Sequence, residues 1–219
     1  MTLKQVKKNP LVLEYIKQTE IALAALSYTD HGTRHATLVS DRARTIAKET
    51  GLTQRDGELA AIAGFCHDMG NFLGRTYHTY LTPLLFQQAF GSEFPPEEIC
   101  AIMQAIANHD KEEMNLTSSV SAVLVLADKA DVHRSRVLTT NLKEIKTDIH
   151  DRVNYATVDS RLKVDKAKKR ITLTLKIDTD FVPIMEYFEI FTERMVFCRK
   201  AAKYLGFDFG LVINNFKLL

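Results

Sequence analysis

The chain has 219 residues, 46% hydrophobic and 26% charged, the composition of a globular fold; collagen-like, disordered and coiled-coil classes are excluded. Lys and Arg number 29 against 27 Asp and Glu, so the net charge of +2 carries no polybasic footprint for a nucleic-acid polymer or a membrane surface. Cys66, Cys100 and Cys198 are widely spaced and form no CxxC pair, which argues against a disulfide framework or a cysteine zinc site and predicts reduced core residues in a cytoplasmic protein.

Up to about residue 150 apolar positions recur at intervals of three and four, which predicts helices throughout. The first spans Leu11 to Leu26; Glu14, Lys17 and Glu20 interrupt its apolar stretch, so no signal-peptide core is expected there. A second starts near Thr33 to His35 and runs to Thr50, with Gly51 as its stop. The third has a capping box, Thr53 with Asp56, and ends at Asp68 before Gly70. Pro83 and Gly91 bracket a fourth, and Pro95 and Pro96 open a fifth that runs to His109. Ser118 or Ser119 caps a sixth, reaching about Arg136. The longest run free of Asp, Glu, Lys and Arg, Thr76 to Ser92, is 17 residues and includes His78, Pro83 and two glutamines, too short and polar for a bilayer span.

Near residue 155 the period changes. Leu162–Val164 and Ile171–Ile177 alternate about a charged turn, Asp165 to Arg170, which predicts a β-hairpin. A helix from roughly Pro183 to Leu205 follows, stopped by Gly206, and Leu211–Ile213 returns as a third strand. The expected architecture is therefore mainly α: a bundle of about six helices over residues 1–150, with a small α+β segment, 151–219, packed on it.

All seven histidines lie in the first 150 residues, and several point inward on their helices. His67 closes the stripe Leu59, Ile62, Ala63, Cys66; His35 precedes Val39, Ala43 and Ile46; His109 follows Ile102 and Ile106; Asp128 follows Ser121, Leu124 and Val125. A lone inward histidine is more often a hydrogen-bonded core residue than a ligand, and that reading is kept for His133 and His150. His78 falls in a predicted loop before Pro83, where an exposed histidine and a ligand both fit the sequence. Buried acids such as Asp68 and Asp128 cost several kcal/mol unless a cation compensates them. Imidazoles and carboxylates converging from facing helices suit one or two divalent transition metals, Fe, Mn, Zn, Co or Ni.

His35, the adjacent His67-Asp68 within Gly-Phe-Cys-His-Asp-Met-Gly, and Asp128 within Leu-Ala-Asp-Lys resemble the H…HD…D signature of the HD-domain superfamily of metal-dependent phosphohydrolases, over roughly residues 30 to 137. The resemblance implies a helical HD-domain bundle and, because His78 and His109 lie between the HD pair and the last Asp, the six-ligand, two-metal subgroup. It makes Asp68 the bridging ligand, with His35, His67 and Asp128 on one metal and His78 and His109 on the other. The run after the pair, Met69-Gly70-Asn71, lacks the Lys that many relatives carry.

Such a centre activates water for attack on a phosphomonoester or phosphodiester, so a small anionic phosphorylated substrate, nucleotide-derived among others, is expected. Helper candidates are His31, Arg34, Arg75 and Lys129, for each of which a solvated surface group is the favoured reading, and Asp131 as an orienting residue three positions after Asp128. A di-iron oxygenase of the inositol-oxygenase type and a non-catalytic metal-binding or sensing module are the alternatives. No nucleic-acid polymer or membrane partner is expected; a homo-oligomer is compatible with the sequence.

Overall fold

Apolar stripes and well-placed caps decide where helices form. The computed structural model describes residues 1–110 and 115–219, which divide into two compact units, Met1–Asp128 and Lys129–Leu219. The first unit is helical. A short α1 (Leu3–Val6) precedes α2 (Pro10–Ala25), whose free N-terminal amides of Leu11 and Val12 donate to the Asn9 side chain. Helix α3 (Thr33–Thr50) ends on Gly51 at φ 87°, a left-handed stop open to glycine. Helix α4 (Gln54–Cys66) starts on Thr53, whose hydroxyl accepts from the Asp56 amide. Then come α5 (His78–Phe90), α6 (Pro96–Asn108) and α7 (Ser119–Lys129), whose last residue opens the second unit.

Helix α4 is the axis of this unit: every residue from Leu59 to Cys66 is buried. It packs against α3, which turns Ala36, Val39, Ala43 and Ile46 inward, and against α6, which contributes Ile99, Ile102 and Ile106. At Gly64 the two backbones come so close that a Cβ there would lie 3.2 Å from the amide nitrogen and Cα of Ser40.

The structure corrects three expectations. The fourth helix begins at His78, not at Pro83. Pro83 removes one backbone bond inside it, but buried His78, Thr79, Thr82, Pro83, Phe86 and Phe90 form one continuous stripe that holds the helix through the proline. The sixth helix stops at Lys129 instead of near Arg136; the chain becomes extended at His133, which caps a 3₁₀ turn, Arg134–Arg136, by accepting from the Ser135 amide at 3.1 Å. Cys100 is exposed, because Ile99, Ile102 and Ile106 claim the inner face of α6 and leave residue 100 outside; Cys66 and Cys198 are buried as expected.

In the second unit two unpredicted helices, α8 (Leu142–Thr147) and α9 (Ile149–Ala156), start on the side chains of Asn141 and Asp148. The hairpin is present as β1 (Thr157–Asp165) antiparallel to β2 (Arg170–Ile177). Along β2, Ile171, Leu173, Leu175 and Ile177 are buried and alternate with part-exposed or exposed Thr172, Thr174 and Lys176. Strand β3 (Asp208–Ile213) pairs parallel with β2, and that geometry requires a crossover, which α10 (Ile184–Tyr204) supplies before Gly206 turns the chain at φ 80°. A fourth strand, β4 (Phe216–Lys217), completes the order β1-β2-β3-β4. Among the described residues no helix is long and apolar enough to cross a membrane.

Candidate metal centre

Helix ends, rather than helix middles, carry the polar cluster of the first unit. His35 sits in the first turn of α3, His67 caps the C-terminus of α4, His78 opens α5, His109 caps α6, and Asp128 is the penultimate residue of α7. All five are buried, as is Asp68 directly after His67. His78 is 3% exposed, which removes the exposed-loop reading of that residue.

The two oxygens of Asp68 face different histidines. Oδ2 lies 3.2 Å from His67 Nε2 and 3.7 Å from His35 Nε2. Oδ1 lies 3.5 Å from His78 Nε2 and 3.6 Å from His109 Nε2. Within each pair the Nε2 atoms approach each other, at 3.3 Å for His35 and His67 and 3.2 Å for His78 and His109. Asp128 Oδ1 joins the first pair, 3.3 Å from His35 and 3.6 Å from His67. A metal with bonds of about 2.0 to 2.2 Å sets neighbouring donors roughly 3.0 to 3.5 Å apart, close to these separations.

Tautomer chemistry strengthens the fit. Nδ1 of His67, His78 and His109 lies 2.8, 2.6 and 2.6 Å from the carbonyl oxygens of Gly64, Arg75 and Ile106, each three residues upstream. A carbonyl only accepts, so the ring proton sits on Nδ1 and Nε2 presents a lone pair to the centre. Lone pairs facing one another and a carboxylate call for a positive charge between them.

Without an ion between them, the acids draw positive charge onto a ring instead. Burial opposes a charge on His67, yet Asp68 and Asp128 push its imidazole up to about 10. Burial also opposes ionisation of Asp68, but the His67 charge and the His109 ring hold it well below the usual carboxylate range. His78 goes the other way: burial and His109 push it down to about 4, which keeps it in the neutral form a metal ligand needs. On the second side His78 therefore supplies no cation to Asp68 by protonation.

Around this core the helper candidates diverge. Arg75 reaches in: Nη1 lies 3.5 Å from Asp68 Oδ1 and 3.3 Å from His78 Nε2, and donates to Asn71 Oδ1 at 3.1 Å. Asn71 donates from Nδ2 to Asp68 Oδ1 at 2.8 Å. Arg75 and Asn71 together therefore stand near Asp68, where the run after the HD pair lacks a Lys. Arg34 donates to Asp30, which also receives the Gly32 amide at 2.8 Å. His31 is buried, its ring centroid 5.7 Å from that of His35 and its Nδ1 2.6 Å from the Thr29 carbonyl. Lys129 and Asp131 are buried residues of the second unit, where Arg136 Nε lies 3.8 Å from Asp131 Oδ2. His133 is half-buried, with Nε2 3.3 Å from the Val158 carbonyl, and His150 is exposed.

Sequence reading missed Asp110. It accepts from Arg75 Nη2 at 2.8 Å, and its Oδ2 lies 3.9 Å from His78 Nε2. The available signal was the adjacency itself: His109-Asp110 repeats His67-Asp68 at another helix end. Among the described residues three donor groups result: His35, His67 and Asp128; His67, Asp68 and His109; His78, His109 and Asp110. Residues 33–135 match the family model of the HD domain, a superfamily of metal-dependent hydrolases that bind divalent metals. No curated protein matches the chain.

Proposed function

With residues 33–135 forming an HD domain, we propose that this protein is a phosphohydrolase that uses two divalent transition metals to hydrolyse a small phosphomonoester or phosphodiester, nucleotide-derived substrates included. The observation that carries this reading is the division of Asp68, one oxygen toward His35 and His67 and the other toward His78 and His109. A carboxylate so placed is suited to bridge two ions. Bound there, such ions lower the pKa of water and neutralise phosphoryl oxygens.

The chain's own groups do the rest. His35, His67 and Asp128 would hold one ion, and His78 and His109 the other. The Arg75 guanidinium beside Asp68 Oδ1 orients an anionic phosphoryl oxygen and screens it from the carboxylate. As a water oxygen forms its bond to phosphorus it gives up a proton, the ester P–O bond breaks, and the leaving oxygen takes up a proton. His31 is the group to relay it: Nδ1 is bound to the Thr29 carbonyl, so Nε2 takes the proton that the water loses and passes it to the leaving oxygen.

Metal analysis of the purified chain, with turnover of p-nitrophenyl and bis-p-nitrophenyl phosphate, tests the proposal. Two ions per chain and hydrolysis of either ester are expected. Two irons with oxygen uptake on a polyol and no phosphoesterase activity would overturn it in favour of an oxygenase. Tight metal with no turnover of a broad phosphoester panel would leave a sensing module.

A further inference from the structure

The centre contains a second His-Asp pair built like the first. His109 caps α6 as His67 caps α4, both with right-handed helical backbone. Each ring is bound through Nδ1 to the carbonyl three residues upstream, Ile106 or Gly64, and each is followed by an aspartate. Asp68 is the shared carboxylate of the proposed centre. Its counterpart Asp110 places Oδ2 3.9 Å from His78 Nε2, and the donor atoms of His78, His109 and Asp110 all lie within 4.8 Å of one another.

Charge favours a role for it. An ion beside His35 and His67 faces all of Asp128 and a share of Asp68. Among the described residues other than Asp110, an ion beside His78 and His109 faces two imidazoles and the other share of Asp68, too little negative charge for a divalent cation away from water. Asp110 equalises the two halves. Arg75 is placed to aim it: Nη2 bonds to Asp110 at 2.8 Å while Nη1 stands 3.5 Å from Asp68 Oδ1, so one planar guanidinium holds both carboxylates. Ligand carboxylates are commonly held by such an outer hydrogen bond.

Resting on the two-ion reading above, we propose that Asp110 is a carboxylate donor to the ion on the His78 and His109 side, oriented by Arg75. The competing role is that of a counter-charge for Arg75 with no contact to the ion. Removing Asp110 would then weaken the second ion only by leaving the Arg75 charge uncompensated, and removing Arg75 as well would restore it.

The test is a Co²⁺ titration of the chelator-stripped full chain, followed by calorimetry and by metal analysis after desalting. Wild type is expected to take up two ions. Asp110→Asn is expected to retain one and to bind the other at least about tenfold more weakly, and the charge-balanced Arg75→Gln/Asp110→Asn variant is expected not to recover it. The double variant also covers the case in which Asp110→Asn alone misfolds around an arginine that has lost one of its two carboxylates. Undiminished two-ion binding by Asp110→Asn, or full recovery in the double variant, overturns the proposal and leaves the two-ion reading standing. Uptake of a single ion by wild type overturns both.

Discussion

Gly64 of α4 lies against the backbone of Ser40 in α3, at a separation that leaves no room for a methyl group without displacement. The contact lies within one turn of His67 and a little over one turn from His35, so it sets the spacing of the first histidine pair. Gly64→Ala is expected to lower stability by about 1 to 3 kcal/mol, the usual cost of forcing extra volume into a packed core. It should also reduce retained metal. Thermal melting and metal analysis of the variant check both; unchanged melting would show that α3 yields freely.

Asp68 and Asp128 are expected to differ in what their neutralisation removes. Asp68→Asn takes negative charge from both histidine pairs and should abolish retention of both ions, whereas Asp128→Asn should weaken mainly the ion beside His35 and His67. Metal-to-protein ratios after desalting distinguish them. Equal losses in the two variants would argue against a shared carboxylate.

Metal removal is expected to destabilise the first unit, because its histidine lone pairs and buried carboxylates then lose their compensating charge. At free metal about a hundredfold above Kd, binding adds about 2.7 kcal/mol. For a chain of this size each kcal/mol moves Tm by about 2 to 4 °C, so chelation should lower Tm by about 5 to 10 °C and metal should restore it. Scanning calorimetry with and without chelator gives the answer.

A separate acid sensitivity resides in the Arg55–Glu98 pair, which ties α4 to α6. The hydrogen bond from Arg55 holds the Glu98 carboxyl below its ordinary value. A depressed carboxylate contributes stability that is complete above the unfolded pKa of about 4.3 and is lost as pH falls through the lower folded value. Wild type should therefore lose Tm more steeply than Glu98→Gln below about pH 4.5, and the two should run parallel near neutrality. Melting curves across that range, recorded on metal-free protein so that ligand protonation does not intrude, check the sign.

Much of this was legible in the sequence because helix periodicity and ligand spacing agree. His35, His67 and Asp128 fall on inward stripes whose apolar members are themselves buried. His78 was harder: Pro83 signals a boundary locally, and only the packing of Phe86 and Phe90 behind it shows that the helix continues through. Asp110 lies past the end of the α6 stripe, where periodicity says nothing about direction, so its approach to Arg75 was unreadable. Helices α8 and α9 are short and rest on the Asn141 and Asp148 caps, which outweigh a weak apolar pattern.

Each of His67, His78 and His109 takes its ring orientation from a carbonyl only three residues upstream. Their aim is thus encoded in four-residue stretches and is available as soon as the corresponding turn forms, before distant segments meet. An ion bound there would lock helix termini whose rings are already directed toward it.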